Sequence, residues 1–164
     1  MTEFELRPMT RELAPGAAAL EQATFTEPWS TAAFLAEAER EQSHYFVALR
    51  QGEVVGFAGM QQVLDEFSVT NVAVAPDCRR QGLGRALMLR LLRVCRERQA
   101  AFLTLEVRAG NTAAIRLYQQ LGFVEEGRRR SFYRLPVEDA LLLTARPPFA
   151  REPDMPADET FQRG

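Results

Sequence analysis

The stretch "VAVAPDCRRQGLGRALMLRLL", residues 72–92, changes its period midway. Val72, Ala73 and Val74 are apolar on consecutive positions, as in a strand covered on both faces. Pro76 ends that run. From Arg80 onward Leu83, Leu87, Leu91 and Cys95 recur every fourth position with arginines on the other face. That is an amphipathic helix of about four turns. Between strand and helix lie Gly82 and Gly84, and glycine weakens a helix. The first turn of a helix offers N–H groups without acceptors and a partial positive charge. Glycines there keep side chains away from those groups, and Arg79, Arg80 and Arg85 add charge. The turn therefore suits a phosphate, and better a pyrophosphate. A plain glycine-rich turn with solvated arginines uses the same residues. Two familiar phosphate loops are excluded. The chain has no lysine for a Walker A loop, and the third glycine of a dinucleotide fingerprint is Leu87.

Outward from this stretch the chain alternates strands and helices. "FELRP", from Phe4, predicts a short strand ended by Pro8, and residues 10–23 predict a helix. "TEPWS" is a turn whose Ser30, or the following Thr31, caps the helix "TAAFLAEAE". "HYFVALR" and "EVVGFAGMQQVL", joined by Gln51 and Gly52, read as a hairpin, followed by the strand "FSVTNVAVA". Beyond the glycine helix come the strand "AFLTLEVRA" and the helix "NTAAIRLYQQLGF", with Asn111 as N-cap and Gly122 as its stop. "FVEEGRRRSFYRLP" and "EDALLLTA" form a last hairpin with Pro136 in its bend. The order predicts one mixed α/β domain over residues 1–145. From Arg146 the prolines and charges predict a flexible tail, 146–164.

Composition narrows the function. A chain of 164 residues with 46% apolar content builds one cored domain. The net charge of -2 argues against bulk nucleic-acid or membrane-surface binding. Two cysteines and one histidine are too few for a disulfide framework or a zinc site, so no metal is expected. The N-terminus lacks a basic segment followed by an apolar one, and no apolar run reaches membrane-spanning length. A cytoplasmic protein is the expectation.

Residues 72–92 resemble the signature of the GNAT superfamily of acyl-CoA-dependent N-acetyltransferases, a strand followed by Arg/Gln-x-x-Gly-x-Gly/Ala at a helix start. "LEVRAGNTAAIRLYQQLGF" (105–123) resembles the superfamily's second block. With "FTEPWS" (25–30), "VLDEFSVTNVAV" (63–74) and "RRSFYRLPVEDALLL" (129–143), the chain is similar to the ribosomal-protein-alanine N-acetyltransferases within it. The resemblance implies a GNAT fold, a mostly antiparallel twisted sheet flanked by about four helices. It implies acetyl-CoA as donor and the N-terminal peptide of a small-subunit ribosomal protein as acceptor. The backbone of Val72, Ala73 and Val74 would pair with the pantetheine arm, with Val74 N–H as oxyanion donor. Arg80, Gln81, Gly82, Leu83, Gly84 and Arg85 would hold the pyrophosphate, and Asn111 would touch acetyl-CoA. Glu106 would be the general base and Tyr118 the general acid. Gly110 stands where the family has a serine, and Phe132 where it has a tyrosine.

The residues can be weighed against that chemistry. An α-amine has a pKa of about 7.7–8.0 and a lysine about 10.4, so near neutrality the α-amine asks roughly 3.5 kcal/mol less of a base. One carboxylate acting through a water suffices. Glu106 sits near a strand end and reads as that base or as an outward-facing strand residue. Tyr118 reads as an acid toward the CoA sulfur or as a core aromatic. Trp29 lines the peptide cleft or covers the core. A covalent route through Cys78 or Cys95 with His44 is disfavoured, because the three fall in separate elements. Other protein N-termini, a lysine, a small amine, or a non-catalytic acyl-CoA-binding module remain the alternative readings.

Overall fold

The computed structural model describes residues 2–152 and 160–163. Its order is β1 (Thr2–Pro8), α1 (Ala14–Thr24), α2 (Thr31–Glu39), β2 (Ser43–Arg50), β3 (Glu53–Val63), β4 (Glu66–Val74), α3 (Leu83–Glu97), β5 (Phe102–Arg108), α4 (Thr112–Gln120), β6 (Val124–Arg134), β7 (Val137–Ala145) and β8 (Thr160–Arg163). The strands form one sheet in the order β6-β7-β5-β4-β3-β2-β1-β8. Every neighbouring pair is antiparallel except β4 with β5. This is the mostly antiparallel mixed architecture that the sequence predicts.

Strand alternation sorts the core into two halves. Tyr45, Val47 and Leu49 of β2 join Ala14, Ala17 and Ala18 of α1 and Phe34 of α2. Ala48, and in part Phe46, face the other way, onto the cluster holding α3. Leu83, Leu87, Leu91 and Cys95 are all buried there. Burying each leucine contributes roughly 1.5–3 kcal/mol, so this face fixes α3 on the sheet. The arginine side of α3 is not wholly solvated, however. Arg90 is buried, with its guanidinium 5.8 Å from the Phe46 ring centroid.

Local chemistry sets the element ends. Ser30 Oγ accepts from Ala33 N at 3.1 Å and caps α2. Asn111 Oδ1 accepts from Ala114 N at 3.2 Å and caps α4. Gly122 takes a φ of 94°, the left-handed stop beyond that helix. The first helix begins at Ala14 rather than at residue 10, with Pro15 in its first turn.

The expected flexible tail is corrected in two places. Phe149 is buried against the α3 cluster, and Arg93 Nε donates to Glu152 Oε1 at 2.6 Å. Further on, β8 pairs with β1, Phe4 opposite Phe161. An apolar side chain beside a core and a free strand edge both reward docking, which composition does not register. Residues 153–159 and 164 lie outside the described residues.

Candidate active site

The site begins where the two central strands part. The β4–β5 ladder runs only from Glu66 opposite Phe102 to Ser68 opposite Thr104. On its other side the β3–β4 register steps from Met60↔Val69 to Gly59↔Asn71, leaving Thr70 as an extra residue. Such a bulge bends its strand. Beyond it β4 stays with β3 while β5 stays with β7, out to Arg108 opposite Ala140. A gap opens between them.

Backbone groups line the β4 side of the gap. Ala75 N donates to Val55 O at 2.8 Å. Alternation along an antiparallel pair then turns the amide groups of Ala73 toward β3 and those of Val72 and Val74 into the gap. Sequence reading expects this run to be covered on both faces. Ala73 is buried, but Val72 and Val74 are only half-buried, because their neighbour strand has departed.

The turn into α3 follows. Arg80 and Gly82 both adopt left-handed backbone, with φ of 64° and 79°. The first helical acceptor is Gly82 O, which takes Ala86 N–H at 3.0 Å. The N–H groups of Leu83, Gly84 and Arg85 precede it and have no acceptor within the helix. A Cβ added at Gly84 would come no closer than 3.7 Å to its nearest neighbour, Leu117. The glycine therefore relieves no crowding inside the protein, and what it admits is an approach from outside. These groups fit a phosphate ligand. Asp77 in the same turn is engaged by Arg50 at 3.0 Å, whose hydrogen bond and charge hold its carboxyl below the usual range. Arg80 and Arg85 are exposed, and Leu83 points into the core. Arg79 turns back to donate from Nε to Val74 O at 3.0 Å, and Gln81 Nε2 donates to Asp77 O at 3.3 Å.

Side chains line the other end of the gap. Glu106 lies two residues past Thr104, the last residue of β5 paired with β4, as Thr70 lies two past Ser68. Glu106 is partly exposed, at 28% of its side chain, and its Oε2 lies 3.4 Å from Arg129 Nε of β6. That oxygen is buried, and no donor among the described residues completes a hydrogen bond to it. Tyr118 of α4 is buried, and burial pushes its phenol up to about 12. Tyr133 of β6 is half-buried. Burial raises its phenol first, and the Glu106 charge raises it further. Tyr133 in turn adds to the shift at Tyr118. Tyr133 is thus the group linked electrostatically to each of the other two.

Tyr133 and Arg129 are the residues that sequence reading misses. Between Arg129↔Ala140 and Tyr133↔Glu138 the β6–β7 ladder carries extra residues on β6. That irregularity re-aims the strand, leaving Phe132 exposed and Tyr133 half-buried. No local pattern in "RRRSFYR" announces it. Arg108 then braces the hairpin. Its guanidinium lies 4.2 Å from the Tyr133 ring centroid and donates to Pro136 O at 3.0 Å and Glu138 Oε1 at 3.3 Å. Glu138 Oε2 accepts Gly110 N–H at 2.6 Å, and a Cβ at Gly110 would sit 2.5 Å from that oxygen.

Trp29 is half-buried, 5.8 Å from Phe34, and so covers the core. His44 stacks on Phe67 and bonds Gln62 at 2.9 Å, and neither partner is a cysteine. Burial raises both thiols, Cys95 to about 12, which suits packing rather than nucleophilic attack. Among the described residues no cluster of His, Cys, Asp or Glu is arranged for a metal, and no helix is long and apolar enough to cross a membrane.

A bulged central strand, a parting from its parallel neighbour and a glycine turn into a helix together define an acyl-CoA-dependent transferase. Comparison with known proteins agrees. The profile of the Acetyltransferase (GNAT) family matches residues 15–123, and the chain belongs to that family. It is an N-acetyltransferase that uses acetyl-CoA. It is 44% identical over 131 residues to the [Ribosomal protein bS18]-alanine N-acetyltransferase of Escherichia coli K12, covering 79% of this chain and 88% of that one. The N-alpha-acetyltransferase RimI of Mycobacterium tuberculosis is 36% identical over 138 residues, 80% of this chain and 85% of that one. The crystal structure of the ribosomal-protein-S18-alanine N-acetyltransferase from E. coli superimposes with a TM-score of 0.81 at 38% identity, over 93% of this chain and 99% of that one.

Proposed function

We propose that this enzyme acetylates the N-terminal alanine of a small-subunit ribosomal protein, bS18 in its relatives' names, by direct transfer from acetyl-CoA. The observation that carries the reading is Glu106 at the parting of β4 and β5, its Oε2 buried and without a hydrogen-bond donor among the described residues. Acetyl-CoA lies along that parting. The gap-facing amides of Val72 and Val74, flanking Ala73, pair with its pantetheine arm. The N–H groups of Gly82, Leu83, Gly84 and Arg85, with the charges of Arg80 and Arg85 and the amide of Gln81, hold its pyrophosphate. Asn111, whose Oδ1 is used in the cap, has its side-chain Nδ2–H groups to donate to acetyl-CoA.

The acceptor α-amine enters beside Glu106. The buried Oε2, left without a hydrogen-bond donor, holds a water that takes a proton from the amine. The neutral nitrogen attacks the thioester carbonyl, whose oxyanion Val74 N–H stabilises. The C–S bond breaks, and the departing sulfur takes the proton of Tyr118. The proton released from nitrogen restores that phenol. Because burial keeps the phenol protonated at any working pH, Tyr118 always presents a donor there. The reaction is at work where acetyl-CoA and nascent ribosomal proteins meet, in the cytoplasm.

Thiol release from acetyl-CoA tests this with two peptides, one with a free N-terminal alanine and one N-acetylated and containing lysine. Turnover on the free terminus alone is expected. Turnover on the blocked peptide moves the assignment to lysine, and silence on both removes the acceptor.

A further inference from the structure

One buried carboxylate takes no part in the chemistry above. Glu21 of α1 is 3% exposed. Its Oε2 accepts Trp29 N–H at 2.7 Å and its Oε1 accepts Asn71 Nδ2 at 2.8 Å. Asn71 Oδ1 accepts the Tyr45 hydroxyl at 2.8 Å and that of Thr70 at 2.9 Å. The Tyr45 hydroxyl lies 2.5 Å from Thr70 Oγ1. Burying a charged group costs several kcal/mol unless its partners are complete, and here both oxygens are held. Glycine makes the reach possible. The Tyr45 ring lies across Gly59, where a Cβ would sit 2.1 Å from Cε2.

The network joins two things that matter to the site. One is the bulge of β4, Thr70 and Asn71, which lies just past the last β4–β5 pair, where the strands part. The other is the turn between α1 and α2, which ends at Trp29. The other end of that turn is tied across the opening. Thr26 Oγ1 donates to Leu135 O at 3.1 Å, and Arg134 Nη2 to Glu27 Oε2 at 2.7 Å. Residues 25–30 therefore bridge β4 to the β6–β7 hairpin, above the side-chain end of the gap. Of the two anchorages, Glu21's is buried and the hairpin's is exposed.

We infer that Glu21 is a positioning residue for the acceptor. It holds the 25–30 turn and the β4 bulge in register, and so sets the cleft wall against which the peptide amine meets Glu106. This rests on the function proposed above. Acetyl-CoA is gripped elsewhere, on Val72–Val74 and the glycine turn, so the wall and the donor site separate.

Donor–acceptor exchange tests it. Glu21→Gln presents an amide N–H to the Asn71 amide, and Asn71→Asp sets two carboxylates face to face. In the double variant the new amide on α1 donates to the new carboxylate on β4, while Trp29 N–H, Tyr45 and Thr70 keep their acceptors. Each single variant is expected to raise the peptide KM about tenfold or more, with the acetyl-CoA dissociation constant within about twofold. The double variant is expected to recover most of the loss relative to Asn71→Asp. Hydrogen exchange of the Trp29 amide, read with acetyl-CoA alone, is expected to quicken in Glu21→Ala. An unchanged peptide KM, a parallel loss of acetyl-CoA binding, or unchanged Trp29 exchange overturns the inference. If the wild-type enzyme ignores the alanine peptide, the function reading fails, and the Trp29 exchange still decides the fate of Glu21.

Discussion

The two ends of the gap are built from different materials. At the proposed donor end most of the groups on offer are backbone: the amides of Val72 and Val74 and the N–H groups opening α3. Beside them Gly82 and Gly84 carry no side chain and Arg79 is turned back to Val74 O, while Arg80 and Arg85 stand exposed at the turn. At the proposed acceptor end the groups are side chains from distant elements: Glu106 of β5, Tyr118 of α4 and Tyr133 of β6, with Arg129 beside Glu106 and Arg108 against the Tyr133 ring. Any residue supplies a backbone amide, so the donor end depends on the path of the chain. The acceptor end depends on identities, and one substitution removes a function there.

That contrast can be broken or sharpened. Glu106→Gln is expected to lower kcat/KM by about 10²–10⁴, with acetyl-CoA affinity within about twofold by calorimetry. A matching loss of acetyl-CoA affinity would place Glu106 at the donor end and dissolve the division. Tyr118→Phe is expected to cost about 10² in kcat. Since burial lifts Tyr118 from its ordinary value to about 12, its proton stays through pH 10. The wild-type pH–rate profile should then show no descending limb from this group through about pH 10. The same shift has a stability sign. The unfolded phenol ionises near 10 and the folded one near 12, so this contribution is complete below about pH 10 and is lost as pH rises through about 12. Alkaline unfolding of wild type against Tyr118→Phe reads it.

Gly84→Ala sharpens the donor end. Its Cβ meets nothing nearer than 3.7 Å, so the melting temperature should hold. The acetyl-CoA KM is nevertheless expected to rise about tenfold, because the ligand itself would be displaced. An unchanged KM would mean that no phosphate approaches this turn. The smallest effect belongs to Arg134→Ala. Its exposed ion pair with Glu27 contributes under about 1 kcal/mol to stability. The peptide KM should shift only severalfold, and less at high salt.

Much of the frame was legible because its signals are local. The four-residue spacing from Leu83 to Cys95 names a buried seam, and all four residues are buried. Ser30, Asn111 and Gly122 act at helix ends as their chemistry dictates. Arg90 shows the limit. Among arginines on the polar side of α3 it alone is buried deeply enough to appear in the core, because Phe46 of a remote strand receives it. Phe149 likewise sits in a segment whose composition promised no fixed place.

By itself, then, the sequence determined the periodicities, the caps and the glycine turn, since each depends on neighbours within about one helical turn. It also nominated Glu106 and Tyr118, through resemblance. Tertiary structure alone decided that β4 leaves β5 after Ser68, that Tyr133 is half-buried where Phe132 is exposed, and that Glu21 reaches Asn71. Those outcomes follow from two β-bulges and from contacts between residues up to 50 positions apart, as with Glu21 and Asn71. A bulge shifts register by whole residues at little local cost, so the strand's own pattern does not announce where its side chains will point.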